Sequence, residues 1–149
     1  MIFYNWLLRK SGVTMNGTPR FIARSAKFDD LRKIAFGDRL VISMNVYLLT
    51  HDYSYTTALI SIGEKPVSDI GILRKIEIGD NVFIGMNSVI LPGTKIGNNI
   101  IIGAGSVIRG NIPNNSIVFG NPGQRIGDIR EYARKVKTRK DQDFKVDKN

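Results

Sequence analysis

The chain has 149 residues, 42% of them hydrophobic, with 22 lysines and arginines against 13 acidic residues. This length suits one domain with its own core, and we expect a single domain over residues 1–149. The lack of cysteine excludes disulfides, thiolate metal ligands and a cysteine acyl-enzyme. The net charge of +9 suits nucleic acid or a polyphosphorylated small molecule. Much of it lies in residues 130–148, where a solvated helix explains it, so we predict no nucleic-acid partner.

The first residues of the chain are apolar and are followed by Arg9 and Lys10. The apolar run over residues 2–8 is far shorter than the roughly 20 residues that span a bilayer. Basic residues precede the apolar core in a secretory leader, whereas here they follow it. We therefore predict no membrane span and a cytoplasmic location. A short helix here would have an apolar face that either caps the domain or contacts a membrane surface or partner, formed by Ile2, Phe3, Trp6 and Leu7.

An apolar residue recurs every six positions in the second half of the chain. The recurring residues are Ile78, Ile84, Ile90, Ile96, Ile102 and Ile108. Glycine follows four of them, so the unit Ile-Gly-x-x-x-x repeats in register. This period predicts a short strand and a corner every six residues, with three units closing one triangular coil. Coils stacked roughly 4.8 Å apart place isoleucine above isoleucine, in an all-β parallel β-helix. A β-sandwich would show a period of two instead.

The same spacing continues upstream in a less regular form. It is found at Ile22, Phe28 and Ile34, and after a slip of two residues at Phe36, Ile42 and Leu48. We predict repeats over about residues 22–113, with full coils at 78–95 and 96–113. Residues 50–71 contain no repeat and are expected to form an extruded loop. In the tail over 128–149, residues 128 to about 140 lack glycine and proline and predict a capping helix.

Three segments together resemble the hexapeptide-repeat O-acetyltransferases, which include galactoside, maltose and capsule or lipopolysaccharide sugar acetyltransferases. They are the repeats, the sequence Leu-Leu-Thr-His-Asp at 48–52, and the closing run over 112–122 that ends in Gly-Asn-Pro. The likeness covers roughly residues 17–127. It implies a left-handed coil, a homotrimer and active sites between neighbouring subunits. It also implies acetyl transfer from acetyl-CoA to a hydroxyl of a sugar or surface-polysaccharide precursor.

The only histidine, His51, matches the catalytic histidine of that family. An alcohol needs a base to become a good nucleophile, and imidazole is suited to accept its proton near neutral pH. The adjoining Asp52 is a candidate to orient the ring. Because successive residues on a strand point to opposite faces, a backbone carbonyl or another carboxylate is equally open. A single histidine also excludes a zinc site with three histidines, and we predict no metal.

The resemblance assigns the coenzyme groove to Phe83, Met86, Ala104, Arg109 and Gly110. Small residues there let the pantetheine arm approach the backbone closely. Relatives have a basic residue two positions after the closing proline, where this chain has Gln124. Contact with the coenzyme phosphates is therefore expected to shift to Arg125 or Arg130.

For the acetyl acceptor we single out Asn45, Tyr47 and Tyr53, which flank His51 in the sequence. Amides, hydroxyls and aromatic faces suit a sugar, which offers both hydroxyls and an apolar face. Tyr47 equally fits a packing role. Two alternatives stay open: N-acetylation of an amino sugar or antibiotic, and a non-catalytic trimeric scaffold.

Overall fold

Short parallel strands, three to a coil, build the protein in the computed structural model, which describes residues 2–138. The chain starts with helix α1 (Ile2–Lys10). The first two coils contain six strands and one turn of 3₁₀ helix at Leu31–Lys33. The strands are β1 (Thr14–Met15), β2 (Phe21–Ile22), β3 (Lys27–Phe28), β4 (Ile34–Phe36), β5 (Val41–Ile42) and β6 (Tyr47–Leu48).

A loop then leaves the second coil, as predicted, and it has structure of its own. It contains β7 (His51–Asp52), α2 (Ser54–Ser61) and β8 (Ile72–Leu73), with β7 and β8 paired antiparallel. The remaining elements are β9 (Ile76–Ile78), β10 (Val82–Ile84), β11 (Val89–Ile90), β12 (Lys95–Ile96), β13 (Ile100–Ile102), β14 (Val107–Ile108), β15 (Asn111–Ile112), β16 (Ser116–Phe119), β17 (Gln124–Asp128) and α3 (Ile129–Thr138).

The strands form the three faces of a prism. Face 1 consists of β1, β4, β9, β12 and β15, and face 3 of β3, β6, β11 and β14. Face 2 consists of β2, β5, β10, β13 and β16, with β17 antiparallel at its edge. Because each face is parallel and is crossed once per coil, the fold is a parallel β-helix. Among the residues described, every helix is too short or too polar to cross a bilayer.

The predicted isoleucine stacks form the core. Ile84 pairs with Ile102 on face 2, Ile90 pairs with Ile108 on face 3, and all four are fully buried. The coil from Ile78 to the next face 1 strand has the predicted 18 residues. The following coil is two residues shorter and ends at Ile112, which pairs with Ile96. The prediction of a full coil over 96–113 was therefore wrong, because the corner before β15 is tighter.

Upstream, the slip before Phe36 is absorbed by the 3₁₀ turn. Phe36 pairs with Ile78 and Met15, while Ile34 pairs with Ile76 in the same strand pair. Both Ile34 and Phe36 are fully buried. Strand β4 therefore contains the last residue of the upstream six-residue series and the first residue of the downstream one. The coils also extend beyond the predicted 22–113, from β1 to β16.

The corner between faces 1 and 2 explains why glycine follows Ile78 and Ile96. The Asp80 carboxylate accepts the Asp38 backbone N–H at 2.7 Å, and Asn98 accepts that of Asp80 at 2.8 Å. Each side chain thus fills the space beside the glycine of the preceding coil. A Cβ on Gly79 would lie 2.3 Å from the Asn98 Oδ1. Glycine is required there because the next coil's polar side chain occupies the position of its Cβ.

The two ends are covered by helices. Of the two orientations left open for the apolar face of the N-terminal helix, towards the coil or outward, the structure has the outward one. Helix α1 buries Asn5 and Leu8 against the first coil. The predicted apolar face points the other way, since Ile2, Phe3 and Trp6 are 88%, 69% and 51% exposed. Helix α3 lies within the predicted C-terminal helix, whose last two residues, like the rest of the tail, are outside the described residues.

The tight stacking of corners predicts that alanine substitutions at two glycines differ in their effect on the stability of the protein. In Gly85→Ala the new Cβ would lie 2.5 Å from the Ala104 backbone nitrogen, and relief requires separating two hydrogen-bonded coils. We expect a loss of about 1–3 kcal/mol in the free energy of unfolding. In Gly127→Ala the nearest atom is 3.9 Å away, so we expect a change within about 0.5 kcal/mol. Urea unfolding measures both, and equal losses would contradict the packing argument.

Candidate active site

His51 lies at the point where the chain leaves face 3 and enters the loop. Its Nδ1 contacts the carboxylate of Asp29, which follows β3 in the preceding coil. The pairing of β3 with β6 places Phe28 beside Leu48, and this register brings the two side chains together. The His51 side chain is 44% exposed, so the ring is held on one side and open on the other.

Thr50 fixes the Asp29 carboxylate from the interior. Its backbone N–H and its hydroxyl donate to the same carboxylate oxygen at 3.0 and 2.9 Å. The Thr50 hydroxyl also accepts the Asp30 N–H at 3.1 Å, and Thr50 is only 1% exposed. Burial raises the pKa of Asp29, but the two Thr50 hydrogen bonds and the neighbouring His51 together outweigh it. The pKa of Asp29 is therefore below its ordinary value, and the group is a carboxylate at neutral pH.

Asp52, the predicted orienting residue, has a different contact. Its carboxylate accepts the Ser54 N–H at 2.8 Å at the start of α2. That bond lowers the pKa of Asp52 and ties it to the loop helix. The carboxylate on His51 is instead that of Asp29, because adjacent residues of β7 point to opposite sides.

Tyr53, one of the residues singled out for the acetyl acceptor, lies beside the histidine. The rings of Tyr53 and His51 are 5.2 Å apart and meet edge to face at 62°. Tyr53 is half exposed and packs over Gly71, where an added Cβ would lie 2.6 Å from its ring. A residue without a side chain at position 71 therefore makes room for this tyrosine.

Two arginines, Arg74 and Arg109, lie close to Asp52 at the base of the loop. Arg109, a predicted coenzyme contact, lines a pocket of about 210 Å³ with Asp52, Arg74 and Pro92. Its neighbour Gly110 turns the corner between faces 3 and 1 with a φ of 76°. Arg109 and Gly110 are thus on the same corner as the loop that carries His51, and Arg74 adds a second cation there.

The other predicted groove residues are on a different edge of the prism. Met86 and Ala104 occupy the corner between faces 2 and 3, where the Gly105 N–H donates to the Met86 carbonyl at 2.8 Å. Asn45, predicted for the acceptor, turns the same corner one coil before Met86, with a φ of 54°. Phe83 points out of face 2 and Tyr47 out of face 3, each 44% exposed. Within one chain, face 3 separates this corner from His51.

The basic residues near the C-terminus are partly engaged. Arg130 makes a two-pronged ion pair with Asp128, at 3.0 and 2.6 Å, which holds the pKa of Asp128 well below its ordinary value. Arg125 donates to the Ser116 hydroxyl at 3.1 Å and remains half exposed on β17. Arg125 also lies 3.8 Å from the Asp128 carboxylate, a longer contact than the 2.6 Å of Arg130, so Arg125 is the less tightly held of the two predicted phosphate contacts.

Asp29 and Thr50 were missed by the sequence reasoning. The signal was present in the spacing of Phe28 and Leu48, which differ by one coil of 20 residues. Stacking those two residues would have placed Asp29 next to the segment from Leu49 to His51. In the part of the chain that the structure describes, no group of three or more histidine or acidic side chains could hold a metal ion.

Comparison with known proteins identifies the family. A family model described as bacterial transferase hexapeptide (six repeats) matches residues 75–110. Protein CapG of Staphylococcus aureus is 38% identical over 144 residues, which are 95% of this chain and 81% of CapG. The chain belongs to the hexapeptide-repeat transferase family. Four further relatives, 32–35% identical, are matched over only 48–55% of their own length.

Two solved structures in this family match most of the chain. A maltose O-acetyltransferase from Clostridium difficile 630 has a TM-score of 0.61 at 25% identity, over 84% of this chain and 74% of that one. A galactoside acetyltransferase in complex with coenzyme A has a TM-score of 0.64 at 27% identity, over 95% and 76%. The predicted family membership is confirmed.

The hydrogen bonds on Asp29 predict how its protonation responds to Thr50. Thr50→Val removes the hydroxyl donor, so the pKa of Asp29 should rise towards the ordinary aspartate value. A carboxylate with a lowered folded-state pKa stabilises the fold at neutral pH, and this contribution is lost as the pH falls through that pKa. Wild type should thus exceed Thr50→Val in stability at pH 7, by a margin that narrows below about pH 4.

Carbon-13 NMR titration of the Asp29 carboxyl and urea unfolding against pH measure these two effects. Thr50→Ser is the matched control, because it keeps the hydroxyl and should leave the Asp29 titration in place. An Asp29 titration that is identical in the valine and serine variants would contradict the assigned hydrogen bond.

Proposed function

We propose that this protein is an acetyltransferase that moves acetyl from acetyl-CoA to a hydroxyl of a sugar or glycan precursor, with His51 as general base. The contact between Asp29 and Nδ1 of the half-exposed His51 carries the proposal. A carboxylate at Nδ1 favours a proton on that nitrogen and leaves Nε2 as the acceptor. Membership of a family with maltose and galactoside acetyltransferases supports the reaction class.

The proposed reaction is a direct transfer. As the acceptor oxygen attacks the thioester carbonyl, its proton passes to Nε2 of His51. The tetrahedral intermediate then expels the coenzyme thiolate, which takes the proton back from Nε2. Asp29 keeps the ring oriented and stabilises the transient imidazolium. The two hydrogen bonds from Thr50 hold the Asp29 carboxylate in position for this role.

The coenzyme would lie along the corner between faces 2 and 3. Ala104 adds little bulk at that corner, Met86 is exposed there, and Phe83 offers an aromatic surface beside it. The half-exposed Arg125 is the proposed phosphate contact. For the acceptor, Tyr53 beside His51 offers a ring and a hydroxyl, which suit the apolar face and the hydroxyls of a sugar.

A complete site requires two subunits in this proposal. One chain places His51 and the corner containing Met86 and Ala104 on different edges of the prism. A left-handed helix assembled as a homotrimer brings one edge of each copy against another edge of its neighbour. Face 2 has a suitable apolar surface for such contact, since Val41, Phe83 and Ile101 stack outward in register.

The proposed roles predict unequal effects for two aspartates. His51→Ala should lower kcat by about 10²–10⁴-fold, the usual contribution of a general base. Asp29→Asn should lower it by roughly 10²-fold or more, because an amide N–H at Nδ1 favours the wrong tautomer. Asp52→Asn should stay within about three-fold, since the amide oxygen can still accept the Ser54 N–H.

Turnover is measured as thiol release from acetyl-CoA against a panel of mono- and oligosaccharides, amino sugars and lipid-linked glycans. Calorimetry with acetyl-CoA is the control, and the three variants should bind it like wild type. Near-normal turnover in His51→Ala would overturn the assignment of the base. Loss of turnover in Asp52→Asn but not in Asp29→Asn would overturn the assignment of the orienting carboxylate.

A shared site predicts complementation between inactive variants. Ala104→Trp blocks the proposed coenzyme corner, while His51→Ala removes the base, so each is inactive alone. In trimers refolded from an equal mixture, about a quarter of the sites combine an intact base with an intact corner. We expect about a quarter of wild-type activity. An equal mixture of His51→Ala and Asp29→Asn is the control and should recover none, because both changes affect the same half-site.

Sedimentation should give three times the chain mass of 16.6 kDa for each mixture. Trimers of His51→Ala with Ala104→Trp that recover no activity would contradict a site shared between subunits.

A further inference from the structure

The outward face of α1 is apolar although it is exposed. Ile2, Phe3, Trp6 and Leu7 are 88%, 69%, 51% and 38% exposed. The rings of Phe3 and Trp6 stack at 5.9 Å with 20° between their planes. Large apolar residues grouped in this way on a soluble surface mark a contact surface, unlike single scattered ones.

The same end of the protein is strongly positive. Residues 2–28 contain five basic residues and no acidic residue, and Asp29 is the first acid along the chain. All five cations are exposed, and within residues 2–138 none of them forms an ion pair with a carboxylate. They are Arg9, Lys10, Arg20, Arg24 and Lys27.

These two features share one end of the prism. Strands β1, β2 and β3 are the outermost strands of their sheets and form the first coil. Helix α1 packs on this coil through Leu8 in the core and through Asn5, whose side-chain amide donates to the Pro19 carbonyl at 2.9 Å. The buried side of α1 thus faces the coil, while the opposite side faces away from the protein. Arg9 borders Ile2 and Trp6 there, and Arg24 borders Phe3.

We propose that this end of the protein docks on the surface of an anionic lipid bilayer. A helix of nine residues is about 14 Å long, under half of the roughly 30 Å hydrocarbon core, so it would lie in the headgroup plane. Phe3 and Trp6 suit that interfacial depth, where aromatic residues are enriched. The exposed cations of α1 and the first coil attract anionic headgroups. The Asp38 carboxylate, which lies against this coil, accepts the Thr18 N–H.

Charge favours a bilayer over a second copy of this chain. Two copies meeting through α1 would bring ten cations together without an acid from residues 2–28 between them. Like charges placed opposite one another disfavour such a contact. An anionic bilayer supplies the opposite charge and an apolar interior to the same surface.

Trp6 is the only tryptophan and therefore reports directly on docking. The full-length protein is titrated with vesicles of phosphatidylcholine alone, or of equal parts phosphatidylcholine and phosphatidylglycerol. We expect the Trp6 emission to shift to shorter wavelength with the anionic vesicles alone, as the ring leaves water. The shift should be reversed when the ionic strength is raised to about 0.5 M, because screening weakens the attraction of the cations.

Two double variants separate the apolar and the electrostatic contributions. Ile2→Ser with Phe3→Ser keeps Trp6 as the reporter and should weaken vesicle binding by more than about ten-fold. Arg20→Gln with Arg24→Gln should weaken it by about 30-fold, at about five-fold for each cation. Arg134→Gln with Lys137→Gln is the matched control, since it removes two exposed cations from α3 and should change binding by less than about two-fold.

Circular dichroism must show the wild-type fold in each variant, which is expected because every changed side chain is exposed. Three results would overturn the proposal. One is the absence of a shift with anionic vesicles, and another is equal weakening by the α3 control variant. The third is a shift that depends on protein concentration without vesicles, which would show that a second copy covers this face.

Discussion

The register between stacked coils is the constraint on which this structure depends. Each short strand is held by backbone hydrogen bonds to the coil on either side, so a strand of two residues persists only when its neighbours are aligned with it. The buried isoleucine stacks set that alignment because a slip of one residue would turn each of them outward. Glycines at the corners let successive coils approach closely enough for these bonds to form.

The candidate catalytic pair is a consequence of the same register. Asp29 and His51 are 22 positions apart in the sequence, and the alignment of Phe28 with Leu48 makes them neighbours. Thr50 joins the two coils at this point through its backbone and its hydroxyl, while its own carbonyl accepts the Arg74 N–H from the returning loop. The pair is therefore fixed by the coil, although the histidine itself begins the loop.

The two surfaces proposed for function are distinct in their chemistry. The corner with Met86 and Ala104, proposed for the coenzyme, lies on a different edge of the prism from His51. The exposed side of α1, proposed for a lipid surface, is apolar and is bordered by Arg9 and Arg24. Both surfaces consist of side chains that point outward, because other residues of the same coils already fill the core.

The sequence alone determined the architecture, the extruded loop and the C-terminal helix, and it singled out His51 as the candidate base. A six-residue period and a lone histidine are local patterns that need no knowledge of distant contacts. Only the tertiary structure decided the partner of His51, the shortened coil before Ile112 and the outward direction of the α1 apolar face. These depend on which coil stacks on which and on how tightly each corner turns, and both are settled by packing between residues far apart in the chain.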